Sequence, residues 1–180
     1  MATIYRVSNG HSATTGPTAK VATPVSGATQ TMMQLVPGSV GIVVTAFEIS
    51  FDGSAAATPL VVELCQTTTV PATALTAYVA NDVTCANGVV DPGITAAGLT
   101  LGTGASGFAT GSAPTEGSAV PPVRSGRLAL VAPSNEYIYQ WPLGQGFYVP
   151  VSGVLRVRVT NPNAEAFNCL CSVEFGLGGD

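Results

Sequence analysis

In SGRLALVAPSNEYIYQWPLGQGFYVPVSGVLRVRVTNPNAEAFNCLCSVEF, residues Ser125 to Phe175, apolar and polar residues alternate in short runs, and Pro, Gly and Asn stand where the runs end. Successive side chains of a β-strand point to opposite faces, so a period of two marks strands and the interruptions mark turns. Leu128 and Leu130 alternate with Arg127, Ala129 and Val131, and Pro133, Ser134 and Asn135 follow as a turn. Tyr137, Tyr139 and Trp141 then share one face, opposite Glu136, Ile138 and Gln140. After the PLGQG turn and a short strand at Phe147 to Val149, Leu155, Val157 and Val159 point one way, Arg156 and Arg158 the other. The last strand runs from Ala166 to Phe175. The alternation assigns Leu128, Leu130, Leu155, Val157, Val159, Phe167, Cys169, Cys171, Val173 and Phe175 to the core.

Upstream, residues 87–123 are rich in Gly, Ser, Thr and Ala and lack periodicity, which predicts one long loop. The stretch from Thr67 to Ala86 reads as a loop with one helical turn, since Pro71 and the threonines weaken a longer helix. Gln30 to Val36, Ile42 to Phe51 and Leu60 to Cys65 read as strands, with Val43, Thr45, Phe47, Ile49 and Phe51 on one face. Val44, Val61 and Leu170 fall opposite the core and form a mixed outer face. Residues 1–28 contain one short strand, Thr3 to Val7, and otherwise read as an extended arm or edge segment. The expected organisation is an arm over 1–28 and a sandwich domain over 29–180. The expected fold class is all-β, a jelly-roll-like antiparallel β-sandwich with an N-terminal arm and a long Gly/Ser/Thr-rich loop.

Only 9% of the 180 residues are charged, against roughly 25% in an average soluble domain. A surface so poor in charge favours burial against other subunits. The net charge of −4 with six Lys plus Arg argues against nucleic-acid binding, which needs clustered cations. No apolar run approaches the length of a membrane span, and MATIYRVSNG lacks the pattern of a secretory signal, so synthesis in a cytosol is the expectation.

Catalytic and metal chemistry finds little support. The single histidine, His11, lies in a Gly/Ser-rich segment and reads as a polar loop residue rather than the base of a nucleophile. Glu48, Glu63, Glu136 and Glu174 each occupy the polar phase of a strand, as a solvated face does, rather than a paired glycosidase site. Gly102, Gly104 and Gly107 lack the Lys-Ser/Thr ending of a phosphate loop. Asp82 and Asp91 are a thin version of a calcium loop. Cys169 and Cys171 share a core face and read as buried free thiols; a disulfide to Cys65 or Cys85 is the alternative, and zinc is disfavoured by the C-x-C spacing. No enzyme, cofactor or metal is expected.

The segment Ser125 to Phe175, with its strand-turn-aromatic-strand series, its PLG turn and its L-R-V-R-V strand, resembles small β-rich virion proteins of tailed bacteriophages, most of all head decoration (cement) proteins. The resemblance implies a jelly-roll or related β-fold on the capsid exterior, a homotrimer, the major capsid protein as partner, and no nucleic acid or membrane. Residues 1–123 carry no matching motif. On this reading Tyr5, Arg6, Lys20, Arg156, Arg158 and Leu170 are candidates for the interaction surface. Tyr137, Tyr139 and Trp141 are candidates for aromatic packing or for a ligand face. The alternative is a receptor- or glycan-binding module of a phage tail or a lectin-like protein, because aromatic rings stack on sugars. Accessibility of Trp141 in the isolated oligomer separates the two: buried or at a subunit contact for the first, open in a concave site for the second.

Overall fold

The structure, a computed structural model, describes residues 4–9, 12–13, 16–17, 21–67, 76–77, 83–85, 109–110, 116, 122–151 and 153–178. Eight strands of five residues or more carry the architecture: β1 (Ile4–Ser8), β2 (Thr29–Leu35), β3 (Ile42–Phe51), β4 (Leu60–Thr67), β5 (Arg124–Val131), β6 (Glu136–Gln140), β7 (Val154–Thr160) and β8 (Asn168–Leu177). They form two antiparallel sheets around a shared apolar core, with the order β6-β3-β8-β1 in the first and β5-β4-β7-β2 in the second. Among these eight, the chain changes sheet at every step except β4 to β5. Val83–Cys85 pairs with the far side of β1, and Phe147–Val149 pairs with β3 beyond the end of β6. Ala109–Thr110 and then Thr76–Ala77 extend the second sheet past β2. The all-β antiparallel sandwich expected from the alternation is the fold observed.

The core follows the period-two pattern wherever the ladder is regular. Phe47, Ile49 and Phe51 of β3, with Val173 and Phe175 of β8 beside them, face Leu60, Val62 and Leu64 of β4 and Val157 and Val159 of β7 in one buried cluster. Three β-bulges break the pattern, and an extra residue reverses the phase of everything beyond it. Thr45 is the extra residue of β3 against β8, so Val44 is buried rather than on the outer face where uninterrupted alternation places it. Met32 is the extra residue of β2 against β7, which leaves Met32 and Met33 both buried.

The third bulge lies at Gly126 in β5. Beyond it Ala129 and Val131 face inward, while Leu128 and Leu130 point to solvent at 61% and 74% exposure. The expectation that these leucines join the core is therefore corrected. A Cβ on Gly126 would lie 3.1 Å from the Phe147 ring, so the glycine lets the bulge pass close over that ring.

The short strand expected near the N-terminus is β1, an inner strand of the first sheet. β1 lies between β8 and Val83–Cys85, and Tyr5 and Val7 are core residues. Asn9 continues the ladder with its side chain: its Nδ2 donates to the Cys169 carbonyl at 3.2 Å, and its Oδ1 accepts from the Cys171 N–H at 2.8 Å. Val21–Ala22 then resumes the pairing with β8. The helical turn expected within Thr67 to Ala86 falls mostly outside the described residues, and Thr76–Ala77 and Val83–Cys85 are strands.

The corner after β7 is held by Asn161, which is fully buried. Its Nδ2 donates to Thr23 Oγ1, the Pro24 carbonyl and the Glu165 carbonyl, and its Oδ1 accepts from the N–H and the Nδ2 of Asn163. One side chain thus ties the segment at Thr23 and Pro24 to the connection between β7 and β8. A buried amide removed from such a set leaves several polar groups without partners, each costing about 1–3 kcal/mol. Asn161→Ala is expected to destabilise by about 3 kcal/mol in urea unfolding, and Asn163→Ala, in a more open position, by about a third as much.

Candidate interaction surface

β5 and β6 are the terminal strands of the two sheets. Between them the sandwich is closed by cations laid on aromatic rings, beside the inward-facing Ala129 and Val131. Arg127 of β5 donates from Nε to the Tyr137 hydroxyl at 2.6 Å, and its guanidinium lies 4.1 Å from the centre of the Tyr139 ring. Both tyrosines belong to β6, so this one side chain joins the sheets. Tyr139 meets Trp141 edge-on at 4.8 Å, and Trp141 stacks on Phe147 at 6.4 Å. Arg124 completes the row, 4.9 Å over the Phe147 ring and donating to the Tyr148 carbonyl at 3.0 Å. The hydrogen bond to Tyr137 raises the Arg127 pKa, so its charge is permanent.

The outward face of β5 is apolar, whereas that of β6 carries Glu136 and Gln140 around one exposed isoleucine. Leu128 stands opposite Glu63, and Leu130 opposite the half-buried Val61. Ile138 of β6 is 62% exposed, and Leu143 at the tip of the PLGQG turn is fully exposed. That turn also borders an open groove of about 600 Å³ on the outer side of the first sheet, lined by Thr45, Gln140, Trp141, Leu143, Tyr148 and Glu174 among others. Tyr137 and Trp141 pack partly against the core, and Tyr139 is half-buried.

The outer face of the second sheet is polar yet covered. Thr31, Gln34, Cys65 and Arg156 are all buried there, and Arg156 is 1% exposed. Arg156, a candidate for the interaction surface, leaves the core face as its phase predicts but is not open there, because Glu116 lies over it, with Oε2 accepting from Nη1 at 2.9 Å. Glu116 also accepts from the backbone N–H and the hydroxyl of Thr31. Beside it Arg158 donates from Nε and Nη2 to Glu63 at 3.1 and 2.5 Å. Burial lowers the Arg156 pKa, and the Glu116 carboxylate opposes that shift. Burial likewise pushes the Cys65 thiol from its ordinary 9.0 up to about 12.

The residues singled out from sequence are scattered. Tyr5 stacks on Phe175 in the core. Arg6 pairs with Glu48 at 2.6 Å and donates to Ser172. Arg156 and Arg158 have carboxylate partners on the second sheet, and Leu170 is 38% exposed on β8. Lys20, His11, Asp82, Asp91 and the glycines at 102, 104 and 107 lie outside the described residues. Cys65, Cys169 and Cys171 are free and buried. Among the described residues Tyr137, Tyr139 and Trp141 come together as one row, and Arg156 and Arg158 as neighbours on the second sheet. Sequence reasoning missed Arg124, Arg127 and Phe147, whose one local signal is the glycine inside an arginine-bearing strand.

Two outcomes follow from the covered face. Glu116→Ala leaves a buried guanidinium without its carboxylate and is expected to cost about 3 kcal/mol, part of which the Arg156→Met/Glu116→Ala pair recovers in urea unfolding. Folded Cys65 holds its proton more tightly than unfolded Cys65, so its contribution to stability is present below the ordinary thiol value and is lost as pH rises from about 9 to about 12. The native thiol is expected to resist alkylation at pH 8 until the chain unfolds, and Cys65→Ala flattens the alkaline loss of stability. No protein family, curated protein or solved structure matches this chain.

Proposed function

We propose that the protein is a structural virion protein of a tailed bacteriophage, a homotrimeric head decoration protein that binds the major capsid protein on the outer surface of the shell and bridges capsomers. The observation that carries this reading is the pair of exposed leucines on the edge strand β5, Leu128 and Leu130, at 61% and 74% exposure. An edge strand that presents leucines to solvent is an aggregation hazard in a monomer and a docking surface in an assembly. The charged share of 9% supports the same reading, since few charges compete with burial of the remaining surface.

We further read the sandwich as a jelly roll. The long-strand orders 6-3-8-1 and 5-4-7-2 support it, because they are the two four-stranded sheets of a jelly roll, whose other uses include viral capsid and lectin domains. The mechanism is noncovalent clamping: the work is done by contact area and repetition, and many copies turn modest contacts into large avidity. The chain is made in the host cytoplasm and acts on the capsid exterior, without a catalytic step.

A glycan-binding reading is favoured by one observation, the groove into which Trp141, Gln140, Tyr148 and Glu174 converge. Electron microscopy of particles carrying the chain separates the readings. The decoration reading predicts density on the capsid exterior and its loss in Leu128→Ser/Leu130→Ser, with Trp141 protected from fluorescence quenchers in the oligomer. A chain found only as a free monomer contradicts it, and strong quenching of Trp141 reversed by oligosaccharide supports the glycan reading.

A further inference from the structure

The chain has six Lys plus Arg in all. Arg6, Arg156 and Arg158 are paired with Glu48, Glu116 and Glu63. Among the described residues Arg124 and Arg127 meet no carboxylate, although both are exposed and both are fixed in place. A guanidinium stacked on a ring and held by one hydrogen bond has lost its rotamer freedom in advance, and its remaining N–H donors keep a fork geometry suited to carboxylates. Two such groups flank the bulge at Gly126 on one strand of a chain whose net charge is −4.

That strand is the terminal one of its sheet, and among the described residues β5 has no neighbour on its other side. Edge strands commonly carry charges and bulges that discourage further pairing. Here the cations turn to the inter-sheet rim, and the outward positions are Leu128 and Leu130, which favour a partner. The edge therefore offers open backbone groups, apolar contacts on one face and positive charge on the other. A second strand adding to it meets both faces with the same period of two. An acidic saccharide uses the arginines but leaves the leucines uncovered, so the observations favour a polypeptide.

We propose that β5 is a strand-addition site whose partner is an extended acidic segment of another protein, with Asp or Glu on the face toward Arg124 and Arg127 and apolar residues on the face toward Leu128 and Leu130. This rests on the assembly reading and names the chemistry of the partner. The partner segment lies antiparallel or parallel along Arg127–Val131, and its carboxylates neutralise the two guanidinium groups.

The test uses the full chain and a fluorescein-labelled twelve-residue peptide alternating glutamate and valine. The controls are a glutamine/valine peptide and a glutamate/valine peptide N-methylated at every residue. Binding is read by fluorescence anisotropy at low and at physiological salt. The glutamate peptide is expected to bind roughly tenfold or more tighter than either control, with the advantage reduced by salt. Arg124→Gln/Arg127→Gln is expected to abolish that advantage, and Arg127→Lys, which keeps the charge but loses the fork, to recover part of it. Near-ultraviolet circular dichroism of each variant checks that the edge is still folded; should the double variant unfold, Arg124→Gln alone is used, with about half the loss on a logarithmic scale. Equal binding of the glutamate and glutamine peptides overturns the inference, as does full binding by the N-methylated peptide. Arginine-dependent binding of polygalacturonate without peptide binding also overturns it and assigns the patch to acidic glycans. Particles decorated equally by wild type and double variant refute the acidic segment while leaving the assembly reading intact; absence of any particle refutes the assembly reading itself.

Discussion

One guanidinium closes the open edge of this sandwich. Away from that edge the two sheets are held by Phe47, Ile49, Leu64, Val157 and Phe175, which bury apolar area in the ordinary way. At the β5/β6 edge the aliphatic supply thins to Ala129 and Val131, because the two leucines of β5 point away from the core. Arg127 fills the gap by lying on Tyr139 and hydrogen-bonding Tyr137. Its apolar stem and flat face shield the tyrosines while its charge stays in water. The cost of this solution is a pair of exposed leucines on the other side of the same strand, and the proposed assembly role rests on that pair.

The second sheet is constrained from outside as well as inside. Its inner face is aliphatic, whereas its outer face carries Thr31, Gln34, Cys65 and Arg156, all withdrawn from water. Such a face is stable only if its polar groups find partners, and Glu116 supplies three contacts from a single position in a loop of small residues. A buried ion pair of this kind adds little net stability over apolar packing but strongly penalises any arrangement that separates its members. It therefore fixes Glu116 over the sheet, a choice that its neighbours in sequence, Gly, Ser and Thr, leave open.

Much of the fold was legible because strands report burial by alternation. Phe47, Ile49 and Phe51, and again Leu155, Val157 and Val159, fall on the face that their period predicts. The misplacements have one physical origin. Thr45 and Gly126 each add a residue to one strand without a counterpart on its neighbour, and a single insertion exchanges the two faces beyond it. Nothing in VVTAFEISF announces that Val44 changes sides, and in SGRLALV only the glycine hints that Leu128 and Leu130 turn outward. The aromatic row was visible as a row, but its arginine partners were not, since contacts between β5 and β6 cross from one sheet to the other. The partnership of Arg156 with Glu116 spans |i−j| = 40 and lacks any local signature.

The claim at the centre is that the β5 edge is an assembly surface. Hydrogen–deuterium exchange over Arg124–Val131, compared between the free chain and the chain bound in its particle, addresses it directly. The account predicts slow exchange at the amides paired with β4 in both states, and fast exchange at the outward amides of β5 that becomes slow only in the particle. Unchanged exchange along β5, with protection gained elsewhere, would contradict it.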